Sequence, residues 1–353
     1  YEVPVFIHVM TVKGKGYLPA EKNPGEYHGI SKFDVMSGNP EVSVDECYST
    51  VFGKELVKIA HKDERICAIT AAMKYGTGLQ FFSSEIPERF FDVGIAEQHA
   101  VTFASGLASM GLVPVFAVYS SFIQRAFDQL IHDVAIAKTH VVLGIDRAGI
   151  VGEDGETHQG MFDVSMLTSI PNTVIYSPSC YEEVRMCLRS AIYDEKGLVA
   201  IRYPRGNDKS EFDKLHLNTE YRFFRKENAD TLLISYGRIF DDVYSAADKL
   251  SDEGIKCDIL KLTKIFPINE QIIPEAKKYK RIIFFEEGYK FGGISEIFGD
   301  ILIESGYIGD YSRVASEGFI RQASAQSCLK KIGLDVKTMI EYVKKRSIGD
   351  AKA

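Results

Sequence analysis

From Val44 onward, short apolar runs alternate with segments whose apolar residues recur every three or four positions. Tyr48, Val51, Phe52, Leu56 and Ile59 mark a helix, and residues 66–70 form a short apolar strand. Residues 79–86 read as a short helix and Phe90 to Ile95 as a buried strand. At Glu97 the spacing turns helical, with Val101, Leu107 and Ala108 on one stripe and Phe103 and Ala104 beside it. The rhythm then predicts a strand at 113–119, a helix over 122–137 and strands at 141–145, 174–176 and 199–201, with a helix over 181–193. After a weakly patterned polar stretch, 206–228, the alternation resumes with strands at 231–235, 257–262 and 281–285. Helices are predicted there over 241–250, 269–278, 294–304, 324–332 and 336–345.

Strands alternating with helices predict an α/β fold of two successive parallel-sheet βα domains, over residues 41–210 and 229–353, joined by a linker at 211–228. Residues 3–11 read as a further buried strand, followed by a Gly- and Pro-containing loop to about residue 40. A domain does not usually open on an interior strand. The expectation is therefore that 1–40 is a remnant strand and linker of a preceding domain.

Composition narrows the function class. The 353 residues are 45% hydrophobic and 26% charged, ordinary values for a globular chain. A net charge of −7 gives no electrostatic reason to expect nucleic acid or an anionic membrane as partner. No apolar run reaches the length of a bilayer span. The six cysteines form no C-x-x-C and the eight histidines show no metal-ligand spacing, so free thiols and no metal site in this chain are expected.

The candidate chemistry lies where strands give way to helices, the edge at which open α/β sheets bind ligands. Glu97 opens a helix straight after a strand, with Gly94 and Ala96 keeping the turn small. A first-turn Glu also reads simply as a complement to the helix dipole. Three later segments hold polar residues in similar positions: Tyr119-Ser120-Ser121-Phe122 leading to Arg125, Asp146-Arg147 running through Asp154 and His158 to Gly160, and Arg202 to Gly206. Arg125, Arg147 and Arg205 converging on one edge would make an anion site, although each taken singly reads as a surface ion-pair partner. His158 suits a proton shuttle near neutral pH, or no such role. His28, Lys13 and Lys15 sit in the first loop, where they face a site or only water.

The ordered runs I-A-E-Q-H, Y-S-S-F-x-Q-R-A, D-R-A-G-x-V-G-E-D-G-x-T-H-Q-G and R-Y-P-R-G resemble the thiamine diphosphate enzymes of the transketolase superfamily. The D-R-A-G and T-H-Q-G versions, with the opening H-V-M-T-x-K-G-K-G-Y, are most similar to its deoxyxylulose phosphate synthase branch. That resemblance implies a transketolase pyrimidine-binding domain followed by a transketolase C-terminal domain. It also implies a homodimeric transferase that condenses pyruvate with glyceraldehyde 3-phosphate and feeds isoprenoid, thiamine and pyridoxal synthesis. Location would be the bacterial cytoplasm, with a plastid left open.

By the same resemblance, Glu97 would bind the cofactor pyrimidine and push it toward the imino tautomer, with Phe122, Ile95 and Met73 completing the cofactor contacts. Tyr119, Arg125, Arg147, Asp154, His158, Arg205 and His28 would bind substrate, and His158 would exchange protons with the reacting oxygens. The family's Mg²⁺ and diphosphate ligands, a G-D-G motif with a later Asn, do not occur in this sequence and are expected on a missing N-terminal segment. A transketolase, a split transketolase subunit and a catalytically silent, dimer-forming fragment remain as alternatives.

Overall fold

The computed structural model describes residues 2–25, 27, 33–38, 46–210, 217, 220–226 and 228–349. The chain divides into two units, Tyr1–Asp45 and Glu46–Ala353. In the first, a short helix, Leu18–Lys22, follows the Lys13–Gly16 turn, and Tyr17, Tyr27 and Phe33 meet ring to ring. The strand predicted at 3–11 is absent: these residues are exposed, Phe6 to 92%, and none belongs to a ladder among the described residues. An apolar run becomes a strand only when a neighbour takes up its backbone hydrogen bonds.

The second unit contains twelve strands in the described residues: β1 Ile66–Thr70, β2 Phe90–Asp92, β3 Val113–Tyr119, β4 Val141–Asp146, β5 Val174–Tyr176, β6 Leu198–Arg202, β7 Tyr221–Phe224, β8 Thr231–Tyr236, β9 Cys257–Leu262, β10 Lys264–Phe266, β11 Arg281–Tyr289 and β12 Asp310–Ser316. They form a seven-stranded sheet, β10-β5-β6-β4-β3-β1-β2, and a five-stranded sheet, β12-β11-β8-β9-β7. Both sheets are parallel except at one edge. There β10 pairs antiparallel with β5, and β7 antiparallel with β9. The fold is thus α/β, with two mostly parallel sheets as expected, each carrying one antiparallel edge strand.

Alternation along each strand sorts the cores. Val141, Leu143 and Ile145 of β4 face a core that also takes Leu232 and Ile234 of β8 and Phe284 of β11. Val142, between them, faces the helices Tyr48–Ala60 and Tyr181–Tyr193 on the other side. The two sheets therefore share one core, to which each fully buried aliphatic side chain contributes about 1.5–3 kcal/mol. The outer face of the second sheet, with Leu233, Ile259, Ile283 and Phe285, is covered by helices Phe240–Asp252 and Val336–Gly349.

Two further expectations change. The strand before Glu97 ends at Asp92 and is half-exposed, because β2 is the outermost strand of its sheet. The helix expected over 122–137 is broken into short α and 3-10 turns and a π-helical turn, Leu130–Ile136. Apolar spacing identifies the buried face of such a segment and says little about its hydrogen-bond register. The six cysteines are free thiols, all buried but Cys47. No helix among the described residues is long and apolar enough to cross a membrane.

Candidate active site at the strand ends of the first sheet

The C-terminal ends of β1, β2, β3, β4 and β6 lie along one edge of the first sheet, and the candidate residues follow them directly. The Asp92 carboxylate ties two of these ends together, accepting from Ala72 N–H (2.8 Å) and Gly94 N–H (3.0 Å). Gly94 turns there at φ +72°, and the chain re-enters as the helix Glu97–Ser109. Glu97 is thereby placed in the first turn and buried, 2% exposed. Its Oε2 lies 2.7 Å from Arg125 Nη1. The angle is not that of a hydrogen bond, so this buried oxygen has an ion-pair partner and no hydrogen-bond donor among the described residues. A buried carboxylate oxygen without a donor is an uncommon and costly arrangement.

A second group forms around Tyr119. Its ring stacks on Phe122 at 5.5 Å, and Phe122 meets His158 edge-on at 5.2 Å. The Arg147 guanidinium lies over the other partner in the stack, 4.0 Å from the Tyr119 ring centre. Arg147 donates from Nη1 to Asp146 Oδ1 (2.8 Å) and to the Gly76 carbonyl. Arg147 itself sits at φ +59°, a left-handed backbone that a branched-chain-free Arg adopts at a cost of about 1–3 kcal/mol. Only a glycine fits at 76, since an added Cβ would overlap the Tyr119 hydroxyl.

Burial raises the Asp146 carboxyl, with Arg147 opposing, and burial likewise raises the Tyr119 phenol against the pull of Arg147 and Arg205. Burial works against the Arg147 charge too, yet Asp146 and Tyr119 outweigh it and the guanidinium stays firmly protonated.

A third pair, Arg205 Nη1 to Asp154 Oδ2 at 2.6 Å, is half-exposed. Thr157 Oγ1 hydrogen-bonds His158 Nδ1 at 2.9 Å. Met73 is buried in the shared core, its carbonyl accepting from Thr77 Oγ1, whereas Ile95 is 56% exposed. His28 lies outside the described residues. Gly76 and Asp92 are not among the sequence candidates. Asp146 stands within a quoted run, but nothing in the sequence shows that it anchors its neighbour.

Arg202, from the same R-Y-P-R-G run as Arg205, has different partners. It is buried and paired with Asp163 (Nε to Oδ2, 2.9 Å), far from solvent. Among the described residues, no group of three or more His, Cys, Asp or Glu side chains could hold a metal ion.

Residues 47–209 match the family described as transketolase, pyrimidine binding domain, and residues 222–339 match transketolase, C-terminal domain. The chain therefore carries a transketolase pyrimidine-binding domain followed by a transketolase C-terminal domain. It is 43% identical over 354 residues to a 1-deoxy-D-xylulose-5-phosphate synthase of Clostridium kluyveri, an alignment covering 97% of this chain and 55% of that protein. A synthase of the same name from Clostridium perfringens is 44% identical over 96% of this chain and 56% of its own length. The chain thus spans about half the length of these curated relatives. Among solved structures, a split-gene transketolase described as an inactive beta4 tetramer superposes with a TM-score of 0.75 at 24% identity, over 85% of this chain and 98% of that one. Transketolase from Campylobacter jejuni gives 0.72 at 15% identity, over 86% and 48%. Both likenesses concern the fold alone.

Proposed function

We propose that this chain is the pyrimidine-binding and C-terminal part of a thiamine-diphosphate-dependent enzyme that condenses pyruvate with D-glyceraldehyde 3-phosphate, giving 1-deoxy-D-xylulose 5-phosphate and CO₂. The observation that carries the proposal is the Glu97 oxygen, buried in the first turn of its helix with Arg125 as ion-pair partner and no hydrogen-bond donor among the described residues. It lies at the sheet edge whose other strand ends lead to Arg147, Arg205, the stacked Tyr119 and Phe122, and His158. A protonated pyrimidine nitrogen would supply the donor that Glu97 Oε2 lacks, and Phe122 offers a ring face worth on the order of 1 kcal/mol. When bound, thiamine diphosphate supplies an acidic carbon whose conjugate base takes up pyruvate and accepts the electrons released with CO₂.

The rest of the work falls to this chain. Arg147, braced on Tyr119 by its ion pair with Asp146, presents a planar fork to the acceptor's phosphate, with Arg205 and Arg125 as further cations. His158, oriented by Thr157 and the edge of Phe122, is placed to hold or pass a proton at the acceptor's oxygens. By the family resemblance, Mg²⁺ and the diphosphate are assigned to an upstream segment of the kind carried by the longer curated relatives.

The test is CO₂ release from pyruvate, with and without glyceraldehyde 3-phosphate, in a protein where the upstream half of a curated relative precedes this chain. Release that depends on the aldehyde phosphate is expected. Turnover of xylulose 5-phosphate in place of pyruvate would overturn the substrate assignment and favour a transketolase. Tight binding of thiamine diphosphate and Mg²⁺ to the isolated chain, read by isothermal titration, would overturn the assignment of the diphosphate half elsewhere.

A further inference from the structure

The loop from Arg147 to Gly160 carries Asp154, Thr157 and His158 on an exposed tip, while its base is buried. Part of the base is held by its own domain. Ala148 N–H donates to the Tyr203 carbonyl (3.0 Å), and Gly149 and Gly160 exchange two N–H···O bonds of 2.7 Å. Gln159 Oε1 accepts from Val151 N–H (2.9 Å) and Gly152 N–H (3.3 Å).

The remaining contacts come from the C-terminal half of the chain. Ile150 N–H donates to Glu287 Oε1 (2.8 Å), and Arg238 Nη2 donates to the Ile150 carbonyl (2.6 Å). Both backbone groups of one loop residue are thus taken by an ion pair, in which Arg238 Nε also donates to Glu287 Oε2 (3.1 Å). Gln322 Nε2 donates to the Glu153 carbonyl (2.7 Å), immediately before Asp154. Beneath them Ile150 and Met161 pack against Ile320 and Cys328.

The loop glycines match this arrangement. Gly149, at φ +81°, has no room for a Cβ against the Glu287 carboxylate, and Gly152, at φ +74°, has none against the backbone of residues 323–325. A packing domain needs apolar contact, and it has no need to saturate the backbone of a loop in the neighbouring domain.

We infer that Glu287 and Arg238 are positioning residues, which fix the base of the 147–160 loop so that Asp154 stays on Arg205 and His158 on Phe122. The C-terminal domain then acts on the acceptor site through this loop. The inference rests on the proposed function for what the loop does, and on the contacts alone for how it is held.

The experiment compares Glu287→Ala and Glu287→Gln with the unsubstituted chain by amide hydrogen exchange. Gln keeps an acceptor for Ile150 N–H, whereas Ala removes it and leaves Arg238 unpaired. In Glu287→Ala, exchange of a peptide covering 149–160 is expected to rise about tenfold while peptides in β8 and β9 keep their protection, with recovery in Glu287→Gln. Loop protection equal to the unsubstituted chain in Glu287→Ala would overturn the inference, as would loop and strands loosening together in both variants. In the enzyme completed by its upstream half, Glu287→Ala should raise KM for the aldehyde phosphate about tenfold and that for pyruvate less than twofold. Equal rises for both would overturn it. A loosened loop in a protein whose unsubstituted form never consumes pyruvate would instead sink the functional reading and leave the brace standing.

Discussion

Arg125 Nη1 lies 2.7 Å from Glu97 Oε2, joining a half-exposed guanidinium to a carboxylate that is 2% exposed. The ion pair gives the buried acid its counter-charge without filling its hydrogen-bond capacity. Glu97 is therefore free to accept one further donor, which the proposed function assigns to the cofactor ring. In the completed enzyme, Glu97→Gln is expected to slow CO₂ release from pyruvate by roughly 10²–10⁴-fold, the span typical of a lost proton-transfer partner. Trapping labelled CO₂ measures it. Near-normal release would remove Glu97 from the chemistry.

Arg147 tests whether the guanidinium shape matters as well as its charge. It is sandwiched between Tyr119 and Asp146 and hydrogen-bonded to Gly76, so a lysine would keep the charge and lose both the stacking face and the fork. Arg147→Lys is expected to lower kcat/KM for the phosphorylated aldehyde about 10–100-fold, with kcat/KM for pyruvate at saturating aldehyde nearly unchanged. An equal fall in both would place Arg147 at the donor rather than the acceptor.

Much of this was legible in the sequence, and the exceptions have physical causes. The central strands β3, β4, β6, β8 and β9 are buried on both faces and read as continuous apolar runs. β7, Tyr-Arg-Phe-Phe, is half-buried at a sheet edge inside a polar stretch, so its sequence reads as linker. β12, whose Asp-Tyr-Ser-Arg start follows no apolar pattern, and β10, three residues that pair with a strand some ninety positions earlier, carry no strand signal of their own. At the site, the motif residues Glu97, Tyr119, Phe122, Arg147, Asp154 and His158 could be named in advance. Their pairings could not, because Glu97 meeting Arg125 depends on how two helix starts face each other. Arg238 carried no local signal at all, being one arginine at the end of a strand.

The domain boundary should also set a pH dependence. Burial pushes the Asp242 carboxyl up to about 6, helped by Glu287 and Asp335 and opposed by Arg238 and Lys209. A carboxyl whose folded value is raised favours the folded state fully below its unfolded value near 4, and that contribution is lost as pH rises through 6. Asp242→Asn mimics the protonated form at every pH. It is expected to leave stability almost unchanged at pH 4 and to raise it at pH 7 by on the order of 2 kcal/mol. Urea midpoints at the two pH values measure this, and an equal shift at both would show that the carboxyl does not titrate across that window.

The last relationship concerns what joins the two halves. Lys261 of β9 is 2% exposed and its ammonium pairs with Glu183, 1% exposed, on the helix Tyr181–Tyr193 that covers the first sheet. The ammonium also donates to Thr263 Oγ1 (3.3 Å) and lies 5.4 Å from the Phe240 ring centre. Desolvating two charges consumes most of what their attraction returns, so the pair as a whole adds little net stability. Removing one partner alone is different, because the survivor stays buried and uncompensated. Lys261→Met is accordingly expected to destabilise the chain by about 3–5 kcal/mol, and Glu183→Gln by a smaller amount, since the amide still accepts a hydrogen bond. The double variant Lys261→Met with Glu183→Leu should recover most of the loss, because two apolar side chains of similar volume fill the same space. Urea denaturation of the double variant and of the single variants Lys261→Met and Glu183→Leu, closed as a double-mutant cycle, measures the coupling. Additive losses would mean that the two charges act independently, and the contact would then owe its place to packing rather than to the ion pair.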